Sequence, residues 1–374
     1  MSFEIRPVQT KREQEVFITF PWRIYKGDPL WVPPLCHERR KTLDPARGTF
    51  FQRGGKALCF IAWQDEPVGT LCAAEDVLTN QQRGMKDCMF GFFECVNDAA
   101  LARALLDTAA EWARAHNLET LYGPFNLDYE DSYGVLLEGR DRPPALLCGH
   151  TPPYYQGFME DYGMQPARGD NLAYALELDD SPALHQLEQA AVRARKSPTT
   201  RIRGADFKRW DAEIDHVHRL MNIALSHLPD FTPWQRQTLV DLFEPFRSIA
   251  DPDLILFAEV NGETVGFLPG IPDLNAAFIH ANGLRYPWNY LPLLWYLRRQ
   301  PACLTVKSIL MLPEHWGSSA VMLMMGEMLA RARAKGYRWV DFSLTSADNP
   351  RTPILAERLG AKIYKRYRAY RKVI

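Results

Sequence analysis

The chain has 374 residues, which suits two domains or one large one, and its 47% of hydrophobic residues supplies material for two cores. Lysine and arginine number 44 against 45 aspartates and glutamates. The resulting net charge of -1 offers no global field for nucleic acid or anionic lipid, so any anion site must be local. The seven cysteines are irregularly spaced with no CxxC pair, which reads as reduced thiols of a cytoplasmic protein. The opening stretch MSFEIRPVQTKREQE lacks the apolar segment of a signal peptide. No apolar run approaches the ~20 residues of a membrane span, so no transmembrane segment is expected. The histidines lack ligand spacing, so no metal is expected.

In chain order, Phe3 to Val8 reads as a strand and Lys11 to Lys26 as a helix interrupted at Pro21. The text DPLWVPPL is too broken by proline for regular structure. Ala57 to Gln64 and Val68 to Ala74 form a hairpin, and Met89 to Val96 is another apolar strand. From Ala99 to His116 the apolar residues Leu101, Leu105, Leu106, Ala109, Trp112 and Ala113 recur at helical spacing. A strand from Thr120 to Phe125, an irregular acidic loop, a helix from Tyr154 to Tyr162 and a strand from Leu172 to Leu178 complete a first unit. The stretch 179–200 changes character and marks a boundary.

The second half repeats the order. Arg201 to Ala205 is a short strand, Trp210 to Leu225 a helix, and Pro233 to Phe246 a second helical stretch. Leu254 to Val260 and Thr264 to Leu268 flank Asn261-Gly262, the strongest short hairpin signal. A long insertion contains a helix from Pro287 to Gln300. Strand Leu304 to Leu312, helix Ser318 to Lys335, strand Arg338 to Leu344, helix Pro353 to Leu359 and strand Ala361 to Tyr370 follow. The pattern predicts an α/β (α+β) protein of two tandem units, 1–185 and 200–374. Each is a mixed, mostly antiparallel sheet flanked by helices.

The stretch Ser308 to Ala320 runs from an apolar strand through Gly317, Ser318 and Ser319 straight into a helix. Such a junction aims free N–H groups and a helix dipole at one point, where a pyrophosphate fits. A plain serine-capped helix would look the same. Glu314-x-x-Gly317-x-Ser319, then Val340-Asp-Phe-Ser343, Ala347-Asp-Asn349 and Ile354-Leu-Ala-Glu-Arg-Leu-Gly360 resemble the coenzyme A site of the GCN5-related N-acetyltransferase (GNAT) superfamily over residues 254 to 370. Glu314 departs from the family's glutamine or arginine, and Ala356 stands where many members carry the acid tyrosine. The first unit resembles the same fold without the loop: Asn97-Asp98-Ala99-Ala100 has no glycine, and Asp98 already fills the anion position.

The stretches Phe20 to Pro34, Gly123 to Gly139, Pro152 to Tyr155 and Tyr364 to Arg368 resemble a bacterial family of double GNAT-like proteins loosely described as N-acetyltransferases, related to bacterial ceramide synthases. The resemblance implies an acyl-CoA-dependent N-acyltransferase, with acetyl-CoA or a longer acyl-CoA as co-substrate and a small-molecule, lipid or sphingoid amine as acceptor. It implies that Trp316, Gly317, Ser318, Ser319 and Ala320 hold the pyrophosphate. Leu310, Met311 and Leu312 would carry the pantetheine arm, and Asn349 would help place it. In the first unit Asn126, Asp128, Glu130 and Asp131 form a loop past a strand end, where a carboxylate could deprotonate an amine. Asp131 matches the family pattern and is the preferred base, with Asn126 and Ser343 as further catalytic candidates; a solvated acidic turn is the plainer account of the loop.

Other residues have competing accounts. His280 is a base or a core histidine. Tyr286 to Gln300 is an interfacial helix giving peripheral contact at the inner membrane, or a core helix. The basic tail Lys362 to Lys372 reads as a charge-protected sheet edge, without nucleic acid. A non-catalytic acyl-CoA-binding protein with a degenerate GNAT fold is the alternative function. Transfer from aminoacyl-tRNA is a third, which would need a basic groove across both units.

Overall fold

The computed structural model describes residues 3–128, 131–144, 146–179, 182–227, 231, 233–244, 247 and 250–374. In chain order its strands are β1 (Glu4–Pro7), β2 (Lys56–Trp63), β3 (Pro67–Glu75), β4 (Asp87–Cys95), β5 (Thr120–Gly123), β6 (Val135–Glu138), β7 (Gln165–Pro166) and β8 (Asn171–Glu177). The second half adds β9 (Thr200–Gly204), β10 (Ile255–Val260), β11 (Glu263–Pro272), β12 (Cys303–Val306), β13 (Leu310–Met311), β14 (Trp339–Ser346), β15 (Lys362–Arg368) and β16 (Tyr370–Val373). Two sheets result, ordered β1-β2-β3-β4-β5-β16-β7 and β6-β15-β8-β14-β12-β11-β10-β9, with β13 on β11. Among the described pairs, β4 with β5 and β12 with β14 run parallel and the others antiparallel.

Local chemistry sets these elements. The β10–β11 hairpin turns at Asn261 and Gly262, both at positive φ (53° and 83°), as a tight hairpin turn requires. The helix Ala99–Ala115 buries Leu101, Leu105, Leu106, Ala109 and Ala113 on one stripe against the first sheet. The helix Ser319–Ala334 does the same for the second sheet through Val321, Met324, Met325 and Met328. The stretch read as a boundary holds a helix, Pro182–Ala194, packed on Ser319–Ala334. At Gly326 an added Cβ would sit 2.3 Å from that of Ala191, so the two helices touch at their small residues.

The sheets do not follow the sequence order in three places. Strand β8, read as closing the first unit, lies in the second sheet between β15 and β14. Strand β16 leaves the end of the second half and inserts between β5 and β7 of the first sheet. Strand β6, inside the region read as an irregular acidic loop, pairs with β15. The last strand of each half therefore completes the other half's sheet.

The basic tail is accordingly no sheet edge, because β15 and β16 each have a partner on both sides. Lys365 is fully buried, and its Nζ donates to the carbonyls of Gly139 and Arg142. Arg368 is bidentate to Asp170, and Arg371 bonds Asp87. These cations are spent on holding the two halves together. The helix expected at Pro233 to Phe246 spans Arg236–Phe243, and the end of that expectation lies outside the described residues. Among the described residues no helix is long and apolar enough to cross a membrane.

Candidate active site

Each sheet contains one place where two parallel strands start together and then part. In the first sheet β4 and β5 pair over Asp87 to Met89, and their ends then diverge. Gly91 makes the local approach possible: a Cβ there would meet the Phe125 carbonyl oxygen at 1.5 Å. The next residue, Phe92, has φ 45° in a bulge of β4. Its N–H donates to Asn126 Oδ1 at 2.7 Å, so this candidate side chain satisfies the donor that the bulge frees from the ladder.

A cavity of about 120 Å³ opens beside this divergence, lined among others by Trp31, Arg39, Glu94, Asn126, Cys148 and His150. Glu94 is the carboxylate within it. Tyr155 donates to Glu94 Oε2 at 2.7 Å, and the Tyr25 hydroxyl, 3.1 and 3.2 Å from the two Glu94 oxygens, shares its proton between them and the His150 carbonyl at 2.9 Å. Burial pushes its pKa up to about 7, against the opposing pull of those hydroxyls and of Arg39. His150 has a side chain only 6% exposed, with Nε2 2.8 Å from Asp28 Oδ2. Burial lowers its pKa and Asp28 only partly offsets this, favouring neutral imidazole. With the Nε2 proton on Asp28, the Nδ1 lone pair remains, and it is buried without a hydrogen-bond partner.

Asp131, the base preferred from the sequence, faces a guanidinium. Arg39 makes two bonds to its carboxylate, one at 3.2 Å, and Ser132 Oγ donates to it at 3.1 Å. Its lone pairs are therefore engaged. Glu130, another carboxylate of that loop beside Asp128, lies outside the described residues.

In the second sheet β12 and β14 pair from Cys303 with Trp339 to Val306 with Phe342, and there they part. The strand expected over Leu304 to Leu312 is broken at 307–309 and resumes as β13, which bonds β11 on one side and leaves its other edge toward the gap. Leu310, Met311 and Leu312 turn their side chains into the core. The loop then reaches the helix Ser319–Ala334 through Trp316, Gly317 and Ser318, with Ser318 Oγ accepting from Ala320 N–H at 3.2 Å. Gly317 has φ 79° and open space where a Cβ would be, and Glu314 is exposed. Gly317 and Ser319 are exposed, while the N–H groups of Trp316 and Ser318 bond back to the carbonyls of Pro313 and His315 at 3.4 and 3.1 Å. Asn349 caps the following helix, Thr352–Arg358, accepting from the N–H groups of Arg351 and Thr352 at 2.9 and 3.2 Å.

Ser343 is buried and donates to Asp341, whose Oδ1 also accepts from Tyr364 at 2.8 Å. Burial raises the Asp341 pKa, and its Oδ2 has no partner. Val340 and Phe342 point to the opposite face, into the core beneath Ser319–Ala334. On that face Ala356 is buried, and Tyr174 keeps a buried hydroxyl with no partner. Lys307, where β12 breaks, places Nζ 3.6 Å from Cys148 Sγ. Because Cys148 also lines the first cavity, the two strand partings meet at this contact.

In the first sheet the corresponding helix start and strand edge are already bonded. Asp98 caps Ala99–Ala115 by accepting from Ala100 and Leu101 at 2.9 and 3.1 Å. The hydroxyls of Tyr154 and Tyr155 bond the carbonyl and N–H of Cys95, occupying the edge of β4 there. Among the described residues no group of three His, Cys, Asp or Glu is placed to hold a metal. His280 is neither core nor in the cavity: it is exposed and stacks on Tyr296 at 3.7 Å.

Sequence reasoning brought Asn126 and Asp131 to the first parting and Gly317 to the second, but singled out neither Glu94 nor His150 and gave no role to Asp28, Tyr25 or Tyr155, which lie in stretches that carry the family resemblance. Glu94 sits in the apolar run MFGFFECV, where a lone carboxylate is the one available signal. His150 and Asp28 are 122 positions apart and carry none.

No family model matches the sequence. The chain is 29% identical to a bacterial ceramide synthase from Caulobacter vibrioides, over 100% of this chain and 98% of the relative. It is 26% identical to the protein YghO of Escherichia coli, over 99% and 95%. Among solved structures it is similar to a tandem GNAT protein from the clavulanic acid biosynthesis pathway, with a TM-score of 0.57 at 14% identity, covering 100% of this chain and 98% of that one. The fold is that of two GCN5-related N-acetyltransferase units in tandem.

Proposed function

We propose that this protein is an acyl-CoA-dependent N-acyltransferase in which the second unit holds the acyl donor and the first holds the amine. The observation that carries it is Glu94: a carboxylate with a pKa of about 7, held by two tyrosine hydroxyls in a cavity at a strand parting. A base poised near neutrality suits the removal of a proton from an ammonium acceptor. His150 Nδ1 accepts from the amine and places it. Asp131 fixes Arg39, and Asn126 fixes the bulge at Phe92, so both act by positioning.

The donor's pyrophosphate would lie on the loop 316–320 at the N–H groups of Gly317 and Ser319, since those of Trp316, Ser318 and Ala320 bond within the loop, with its arm along the free edge of Ile309 to Leu312. Backbone N–H groups there would polarise the thioester carbonyl. The thioester end then lies near Lys307, against Cys148 and the amine cavity. The nitrogen attacks the carbonyl carbon, the C–S bond breaks, and the thiolate takes a proton. Ala356 has no proton to give, and Tyr174, with a buried hydroxyl on the same face, supplies it. Asp341 and Ser343 stiffen β14 from the opposite face. The similarity to a ceramide synthase supports a lipid or sphingoid amine as acceptor, and such a substrate favours peripheral membrane contact through residues 286–300.

Ala356 also favours a second reading, an acyl-CoA-binding protein that transfers nothing. The test is to incubate purified protein with acetyl-, octanoyl- and palmitoyl-CoA, following thermal stability and thiol release with and without long-chain amines. Amine-dependent thiol release is expected. Stabilisation without release selects the binding protein, and neither response sinks both.

A further inference from the structure

We infer that the aromatic insertion between β11 and β12 docks the protein on an anionic lipid bilayer. The inference deepens the reading above, from which it takes a lipid acceptor, but its observations are independent of the chemistry. The helix Tyr290–Leu297 buries Leu293 and exposes its other face: Leu291 is 71% exposed, Leu294 54% and Trp295 50%, with Trp288 before it at 63%. A helix in water hides such a stripe, and large apolar side chains gathered on one surface mark a binding face.

The charge around this face selects the occupant. Between Asp273 and Glu314 the chain has no carboxylate, while Arg285, Arg298 and Arg299 flank the apolar residues. Arg299 lies 3.5 Å from the centre of the Trp295 ring, an amphipathic pairing that suits the boundary between headgroups and acyl chains. Beside the helix runs a groove of about 320 Å³ lined by Arg12, Arg40, Arg285 and Tyr286. Its one carboxylate, Glu15, is bidentate to Arg40 at 2.5 and 2.8 Å. The remaining positive charge fits a lipid phosphate. A second copy of the chain is a poor fit, since a two-fold contact would set these arginines against their own kind.

The insertion also borders the amine cavity. Trp22 Nε1 donates to Asn282 at 2.6 Å, and Trp22 packs edge-on against Trp31, which lines that cavity. Asn275 donates to the carbonyl of Pro144, another lining residue, at 3.0 Å. The insertion that carries the exposed face is thus joined to the cavity wall through Asn282 and Asn275.

The full chain is sedimented with vesicles of phosphatidylcholine alone and of phosphatidylcholine with phosphatidylglycerol, following tryptophan fluorescence. Binding to the anionic vesicles with a blue shift is expected. Reversing Arg298→Glu with Arg299→Glu should weaken it by roughly tenfold or more. Leu291→Glu with Leu294→Glu should abolish it, leaving thiol release with water-soluble amines unchanged. Equal binding to both vesicles, no binding, or binding indifferent to these changes overturns the inference. So does a dimer that Leu291→Glu and Leu294→Glu dissociate. Vesicle binding without any transfer would leave docking standing and sink the acyltransfer reading; transfer without binding would do the reverse.

Discussion

At the scale of single residues, the site depends on groups whose environment changes their ordinary chemistry. Glu94 binds its proton up to about pH 7 in the folded chain, against an ordinary value of 4.5. As a base it is competent only above that value, so activity should rise through pH 7. Glu94→Gln should remove this limb and lower kcat by about a hundredfold or more. The sign for stability is opposite. Between pH 4.5 and 7 the folded state holds a proton that the unfolded state has lost, so stability falls as pH rises, by about 3 kcal/mol from this group. Denaturant titrations across that range should show a shallower fall for Glu94→Gln, and an unchanged slope would refute the assignment. Tyr174→Phe removes only a buried hydroxyl with no partner, so the fold should tolerate it. A drop in kcat without a change in acyl-CoA affinity is expected, and unaltered turnover would take Tyr174 out of the mechanism.

At the scale of elements, two strand breaks make the two halves of the site. The bulge at Phe92 opens the first sheet and is stabilised from across the gap by Asn126. The interruption at 307–309 opens the second and leads to the glycine loop. Gly317 tests that loop cleanly, because a side chain there meets open space and costs only its positive φ, roughly 1–2 kcal/mol. Gly317→Ala should therefore lower stability slightly while keeping acyl-CoA stabilisation. Gly317→Asp, with the same backbone cost, should lose that stabilisation by repelling the pyrophosphate. Equal stabilisation of both variants in a thermal shift series would place the cofactor elsewhere. The loop was legible in the sequence because strand, glycine, serine and helix are contiguous. The bulge was not, since Phe92 is bulged only by tertiary pairing with β3 and by Asn126.

At the scale of the molecule, the exchange of β8 and β16 couples the halves. The first sheet takes β16 from the second half and the second sheet takes β6 and β8 from the first, and Lys365 and Arg368 bond to residues contributed by the first half. Fragments 1–199 and 200–374 should therefore fail to fold alone and regain structure when expressed together. Deleting residues 370–374 should destabilise the first sheet, although the cut is at the far end of the chain. Amide exchange of β5 and β7 in that deletion is the measurement. Protection equal to the intact chain would contradict the coupling.

The sequence by itself determined most of the elements, the doubled fold class and the strand-to-helix loop at Gly317, because each follows from local periodicity and turn chemistry; β6, the break at 307–309 and the division of the last strand into β15 and β16 were not legible in it. It indicated Asn126 and Asp131 through a resemblance, without their roles. The tertiary structure decided which half completes which sheet, since an apolar strand such as β8 satisfies either partner equally in pattern. It also decided the cavity. Asp28, Glu94 and His150 come from three distant segments, and the burial that changes the protonation of Glu94 and His150 exists only after those segments pack. Desolvation is a property of the assembled surroundings, so no reading of the residues one after another contains it.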